Sequence, residues 1–309
     1  MPDLAIGGQA VIEGVMMRSR DCVATAVRTA DGQIAIKTQP YTSLTLRHKI
    51  LGLPIIRGAV SFVEMLIIGV STLNYSADVF AQATETDPSK KKSNTFWLAV
   101  STVLAFGLGI LIFFFVPLAI SQLLNIDKDA VAFNLIAGGV RLTMFVLYIW
   151  GISFVKDLRR VFEYHGAEHK AIYAYERGDK LTPERAATYT RFHPRCGTSF
   201  ILIVALVAMV VYAVSDSLYM VVTGHAPSLV TRFLLHFSLL PLVAGSSYEL
   251  LKLSGKTRDN AITKILIQPG LWLQRITTKE PSPDQLEVAI AALETALGIR
   301  TQNQTTSAL

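Results

Sequence analysis

From Ser93 to Ile126 the chain carries no charged side chain over 34 consecutive positions, and Phe96 to Ile120 is the most apolar part of that run. About 20 apolar residues in helical form cross the hydrocarbon core of a bilayer. A soluble domain offers no interior in which to hide such a segment, so the run predicts a membrane protein. Three more stretches follow the same pattern. Val131 to Val155 is interrupted by Arg141, Ser199 to Val222 is apolar almost throughout, and Leu229 to Leu251 carries Arg232 and His236. The connections Asn125 to Ala130 and Thr223 to Ser228 are short and predict two antiparallel hairpins.

The fold class expected is a mainly α membrane protein. It has about four transmembrane helices, a small β-containing N-terminal element, and cytoplasmic or interfacial amphipathic helices. Charged residues make up 17% of the 309, against about a quarter in soluble domains. Two cysteines, Cys22 and Cys196, cannot build a disulfide framework. Lys+Arg 29 against Asp+Glu 23 gives a net charge of +6. In such a chain that excess marks cytoplasmic loops rather than a nucleic-acid surface. The partner implied is the lipid bilayer.

Orientation follows from where the basic residues sit. Lys90, Lys91 and Lys92 precede the first span. Nine basic residues lie between Lys156 and Arg195, and Lys252, Lys256, Arg258 and Lys264 follow the last span. The short connections hold only Lys128. The opening MPDLAIGGQAVIEGVMMRSR lacks the basic and apolar regions of a signal peptide. Both termini are therefore expected in the cytoplasm, with the protein in the inner membrane.

The expected units are a β-rich N-terminal element (1–50), an interfacial or re-entrant helix (51–80), a transmembrane hairpin (96–155), a cytoplasmic loop (156–198), a second hairpin (199–251), and a cytoplasmic C-terminal region (252–309). Residues 51–80 are apolar, but Arg57 and Glu64 argue against a full crossing. Val23 to Val27, Asp31-Gly32 and Gln33 to Thr38 predict a hairpin with a type I′ turn. Asp157 to Arg177 predicts a helix, with Gly166 a mild cost. Residues 261–276 suit an interface segment broken at Pro269-Gly270. Pro283 to Leu297 has one apolar stripe of Leu286, Ile290, Leu293 and Leu297, and a disordered tail is expected from Thr301.

The chemistry concentrates in His165-Gly166-Ala167-Glu168-His169. On a helix, His165 and His169 project from one face a turn apart, a spacing at which two imidazoles take one divalent ion. Glu168 stands ready to accept a proton from water activated by that ion, the inverted form of the zincin pattern. The bland alternative is a solvated helix with two surface histidines. His193-Pro194-Arg195-Cys196 adds a second His and a Cys at a spacing that zinc ligands use. Glu249, at the cytoplasmic end of the last span, could complete a His₂Glu set or simply pair with Lys252 or Arg258.

These sets differ in consequence. His165, His169, His193 and Cys196 would close a tetrahedral structural site, whereas His165, His169 and Glu249 would leave an open, catalytic position. In the second set His193 would act as a donor. Zinc suits these ligands best; His and carboxylate alone would also suit iron or manganese. Glu13, beside Gly14, could approach such a site or merely face water in a turn. Arg141, midway along its span, is costly there and needs a partner or a wet cavity, Asp216 being the candidate.

Several segments resemble the bacterial YqhQ-type membrane proteins, a family of unknown function described as predicted metal-dependent enzymes. They are Gly7 to Arg18, Arg57-Gly58, Glu163 to Lys170, His193 to Phe200, Tyr248-Glu249 and Pro269 to Gln274. The resemblance spans nearly the whole chain and implies a multi-pass prokaryotic protein with a metal site, but no substrate. Two functions are expected to compete. One is a metal-dependent hydrolase acting on a peptide or lipid-linked substrate at the cytoplasmic face. The other is a non-enzymatic scaffold, assembly factor or transporter with a structural zinc. A carrier resting on Arg141, Arg57 and Glu64 would need to form a homo-oligomer.

Overall fold

The computed structural model describes residues 6–82, 91–126, 129–256 and 261–299. The tail from Thr301 and Lys128 lie outside them. The described chain is mainly helical, with one small antiparallel sheet at its start.

Strands β1 (Gly7–Val11), β2 (Gly14–Arg18), β3 (Cys22–Arg28) and β4 (Ile34–Pro40) form a meander in that order. Side chains alternate between faces with a period of two, and both faces are covered. Val15, Met17, Ala24 and Ala26 enter the main core on one face. On the other, Gln9 and Arg18 meet helix α2 (Ile56–Gln82). That explains why β2 is buried at four consecutive positions instead of alternating. The β3–β4 connection is not a type I′ turn. Gly32 alone has a positive φ, of 84°, and its N–H donates to Thr29 O at 3.0 Å. This is a type I turn closed by a left-handed glycine, the solution a longer hairpin loop uses.

After the four-residue α1 (Leu44–Arg47) and α2 come α3 (Lys91–Ile110), a π-helical turn (Leu111–Phe115) and α4 (Val116–Leu123). Then follow α5 (Ala130–Ile152), α6 (Lys156–Glu176) and α7 (Pro183–Ala187). The chain ends with α8 (Gly197–Thr223), α9 (Leu229–Ser238), α10 (Leu240–Lys256), α11 (Ala261–Thr277) and α12 (Pro283–Ala296).

Among the described residues four helical segments are long and apolar enough to cross a membrane: Ile56–Ala81, Val103–Leu123, Ala130–Ile152 and Phe200–Thr223. The expected fourth span, 229–251, is instead two helices bent by 49°. Pro241 follows the break and has no N–H to continue the ladder. The first of the four is the stretch expected to lie at the interface, now a continuous helix of 27 residues. Its contacts are set out below.

Two elements differ from expectation in the C-terminal region. Helix α11 runs through Pro269 without ending there. Helix α12 is no surface helix with a single stripe. Val288, Ala289, Ala291 and Ala292 are buried along with Leu286, Ile290 and Leu293, because the sheet, α6 and α7 surround it. Small alanine side chains permit that close approach on several sides. Its start is fixed by a capping box between Ser282 and Gln285.

Among the described residues, the apolar bundle holds a charge network centred on Asp216. Asp216 is fully buried and accepts from Asn134 Nδ2 at 2.8 Å, Arg232 Nε at 3.1 Å and His236 Nε2 at 2.9 Å. Asp216 therefore pairs with Arg232 rather than Arg141. The reason is depth: Arg232 and Asn134 sit one turn into α9 and α5 from the same end of the bundle. Truncating one partner leaves an uncompensated buried charge, a loss on the order of 3–5 kcal/mol. Asp216→Leu should lower the thermal midpoint in detergent sharply. The double variant with Arg232→Leu should recover part of that loss, and an unchanged midpoint in the single variant would discount the network.

Candidate metal centre

Helix α6 follows α5 directly and lies against β1. Two close approaches fix its place. A Cβ on Gly166 would lie 2.1 Å from Lys279 O, so glycine lets residues 277–281 cross the helix. A Cβ on Gly8 of β1 would lie 2.8 Å from the Glu168 carboxyl carbon. The sequence alone prices Gly166 as a weak helix former; in the fold it is the position where two backbones meet.

His165 and His169 have ring centroids 4.5 Å apart, as one helical turn dictates. His165 Nδ1 lies 2.8 Å from Thr277 O, and His169 Nδ1 lies 2.5 Å from Arg191 O. A carbonyl only accepts, so both Nδ1 atoms carry the proton. In the neutral rings this leaves both Nε2 atoms as acceptors, the arrangement that orients histidines as metal ligands. His169 Nε2 is buried without a hydrogen-bond partner. Burial first, and then the neighbouring His165, hold the His169 pKa below the ordinary imidazole value, which keeps the ring neutral.

The third group is Cys196, at the residue before α8, with Sγ 3.2 Å from His165 Nε2. One ligand atom from each of His165, His169 and Cys196 lies within 4.8 Å of the others. Two imidazole nitrogens and a thiol converging around an unsatisfied buried nitrogen are a donor set that fits a divalent ion. His165 is the partly exposed member; His169 and Cys196 are buried.

Glu168 stands beside this cluster but outside the three-ligand group. Its carboxyl is buried and accepts from the Gly8 backbone N–H. Burial dominates and pushes its pKa up to about 7, with Cys196 adding to the rise and His165 opposing it. A carboxyl balanced near neutrality can hold or release a proton at physiological pH.

The other expected ligands lie elsewhere or face away. His193 is next to His169, with ring centroids 5.6 Å apart. Its Nδ1 accepts from the Arg195 backbone N–H at 3.3 Å, and its Nε2 faces Glu176 Oε1 at 3.3 Å. Its lone pair is thus turned to the backbone, the opposite tautomer from His165 and His169. Glu249 is held by Arg57, whose Nε donates to Oε1 at 2.6 Å and whose Nη2 donates to Oε2. A guanidinium fork occupying both oxygens leaves this carboxylate apart from the cluster. Glu13, in the β1–β2 turn with φ 51°, is held by Arg160 through two hydrogen bonds of 2.5 Å. It anchors the sheet to α6.

Two positioning residues escape the pattern reading. Gln274, fully buried on α11, accepts from His193 N at 2.7 Å and donates to His193 O at 2.8 Å. It fixes the loop that leads to Cys196. Gly8 fixes Glu168 from 160 residues away. Gly8→Val should therefore cost about 1–3 kcal/mol by overpacking. Gly7→Val, where a Cβ meets nothing within 4 Å, should be neutral. Thermal midpoints measured side by side would check the pair, and equal midpoints would dismiss the contact.

The family described as protein of unknown function (DUF1385) matches residues 53–299. An uncharacterized protein, YqhQ of Bacillus subtilis (strain 168), is 33% identical over 317 aligned positions, covering 97% of this chain and 95% of that protein. No solved structure matches. With a family match across most of its length, and a relative aligned nearly end to end, the chain belongs to the DUF1385 family of proteins of unknown function.

Proposed function

We propose that the protein is a metal-dependent hydrolase of the inner membrane, working at the cytoplasmic surface on a peptide or lipid-linked substrate. The observation that carries this reading is the His165–His169–Cys196 cluster, with buried Glu168 beside it and outside the ligand group. Three protein ligands are the usual complement of a catalytic zinc, four that of a structural one. Zinc fits the two imidazoles and the thiolate. A divalent ion held there would supply Lewis acidity toward a carbonyl or phosphoryl oxygen. Glu168 takes a proton from attacking water while the Gly8 N–H holds its carboxyl in place. The partly exposed His165 marks the side from which substrate approaches.

Connectivity supports one membrane arrangement. Strand β1 precedes α2, α3–α4 and α5, and α6 follows them, yet Gly8 touches Glu168. Segments on one side of a bilayer are separated by an even number of crossings, so one of these three does not cross. Helix α2 fits that role. Met65 accepts from Arg18, Ser76 accepts from Ile12 N, and Glu64 accepts from Tyr41, Ser43 and Leu44 N. The sheet and the segment after it thus cover about 18 Å of one flank. An open sheet does not survive in hydrocarbon. The opposite arc, with Phe62, Val63, Leu66, Ile67, Val70 and Leu73, is exposed and apolar. Helix α2 therefore lies along the surface. By the same count, α8 and the bent α9–α10 both cross, since α6 and α12 share a core. The basic residues favour the cytoplasm for that side.

Two measurements test this. Alkaline phosphatase fused after Ser89 should be inactive, and fused after Asn125 active; activity after Ser89 would make α2 a span. Protein purified in detergent should hold about one metal per chain by elemental mass spectrometry. His169→Ala and Cys196→Ser should lose it, whereas Glu168→Gln and His193→Gln should keep it. Cobalt-substituted protein should change its visible spectrum on addition of acetohydroxamate. Loss of metal in His193→Gln, with a spectrum indifferent to hydroxamate, would leave a structural zinc and overturn the hydrolase. Membrane vesicles given wild type, but not Glu168→Gln, should yield products carrying the elements of one added water.

A further inference from the structure

Three irregularities converge inside the bundle, away from the metal centre. The π-helical turn Leu111–Phe115 interrupts the α3–α4 segment. The α9–α10 span breaks by 49°. Arg141 is the twelfth of the 23 residues of α5, at mid-depth. Helices broken at one depth, beside an intramembrane charge, are where membrane proteins place ligands.

The local chemistry is specific. Pro117 has no N–H to give Phe113 O four residues before it, and Arg141 Nε supplies that hydrogen bond at 2.9 Å. The guanidinium lies 5.0 Å from the Phe114 ring centroid and 6.0 Å from that of Tyr212. Arg141 Nη2 is buried without a hydrogen-bond partner. Among the described residues no carboxylate pairs with Arg141; Asp216 is taken by Asn134, Arg232 and His236. Beside the guanidinium runs a cavity of about 520 Å³, lined by Phe106, Gly109, Phe113, Phe237 and Leu240 among others, with Arg141 its only charged residue.

We propose that this groove binds a long-chain carboxylate, its acyl chain against the apolar wall and its acid group on Arg141. A buried cation without a counter-charge favours an anion strongly in a medium of low dielectric. A lone guanidinium, with its Nε already given to Phe113 O, matches a single carboxylate better than a phosphate, which needs more donors. A carboxylic acid also enters the apolar phase neutral and ionises against the guanidinium. The site is independent of the metal centre and of the hydrolase reading.

Protein in nanodiscs of a zwitterionic phosphatidylcholine is titrated with cis-parinaric acid and, separately, with its methyl ester, followed by fluorescence. The acid should bind saturably and at least about tenfold tighter than the ester, the value of one charge-assisted hydrogen bond. Arg141→Gln should bring the acid down to the ester. Gly109→Phe fills the groove where a Cβ meets nothing within 4 Å and leaves the Arg141–Phe113 bond alone. It should abolish saturable binding of both, and it serves if Arg141→Gln fails to fold. Equal affinity for acid and ester in the wild type, or unaltered binding in Gly109→Phe, would overturn the proposal.

Discussion

Helix α6 buries three polar side chains in a row, Glu168, His169 and Lys170. Each unpaired group would cost several kcal/mol, so their partners are obligatory. Glu168 takes the Gly8 N–H, His169 takes Arg191 O, and Lys170 takes Ala187 O and Glu280. Those partners come from the first strand, from the end of α7 and the loop that follows it, and from the segment between α11 and α12. One helix therefore dictates where three other parts of the chain must stand. Tyr164, Ala167 and Ala171 on its apolar side then bring the sheet and α12 into a common core.

The long apolar helices were legible because they rest on local quantities. Long apolar runs mark α3–α4, α5 and α8, and helical periodicity alone puts His165 and His169 on one face. What escaped the sequence depends on contacts made across it. Gly8 and Glu168 meet across 160 positions. The histidine tautomers follow from which carbonyl or N–H each ring meets, and so separate His193 from His165 and His169. The stripe of α12 suggested one buried face, but neighbours on several sides bury its alanines too. Glu249 looked available until Arg57, 192 residues earlier, claimed both its oxygens. The bend at Leu239 needed Pro241 to be read as a breaker inside an apolar run.

The candidate ligands bridge two regimes. His165 and His169 belong to the helix that follows α5, and Cys196 to the residue that opens α8. Both α5 and α8 are candidate spans, so the centre sits where the apolar bundle joins the polar unit. Gln274 braces the same junction from α11. A donor set built this way senses the relative position of two spans as well as the fold of the unit above them.

The common core draws on residues 15–26, 164–186 and 286–296, the beginning, middle and end of the chain. Arg28 reaches Asp284 O across 256 positions. During synthesis the β-sheet emerges first and must wait for α12, while every apolar helix between them is delivered to the bilayer. At ~5–20 residues per second that interval is roughly 10–50 s. Over it, the sheet face carrying Val15, Met17, Ala24 and Ala26 has no permanent cover. The order of synthesis thus separates this sheet face from the helix that closes over it by most of the described chain.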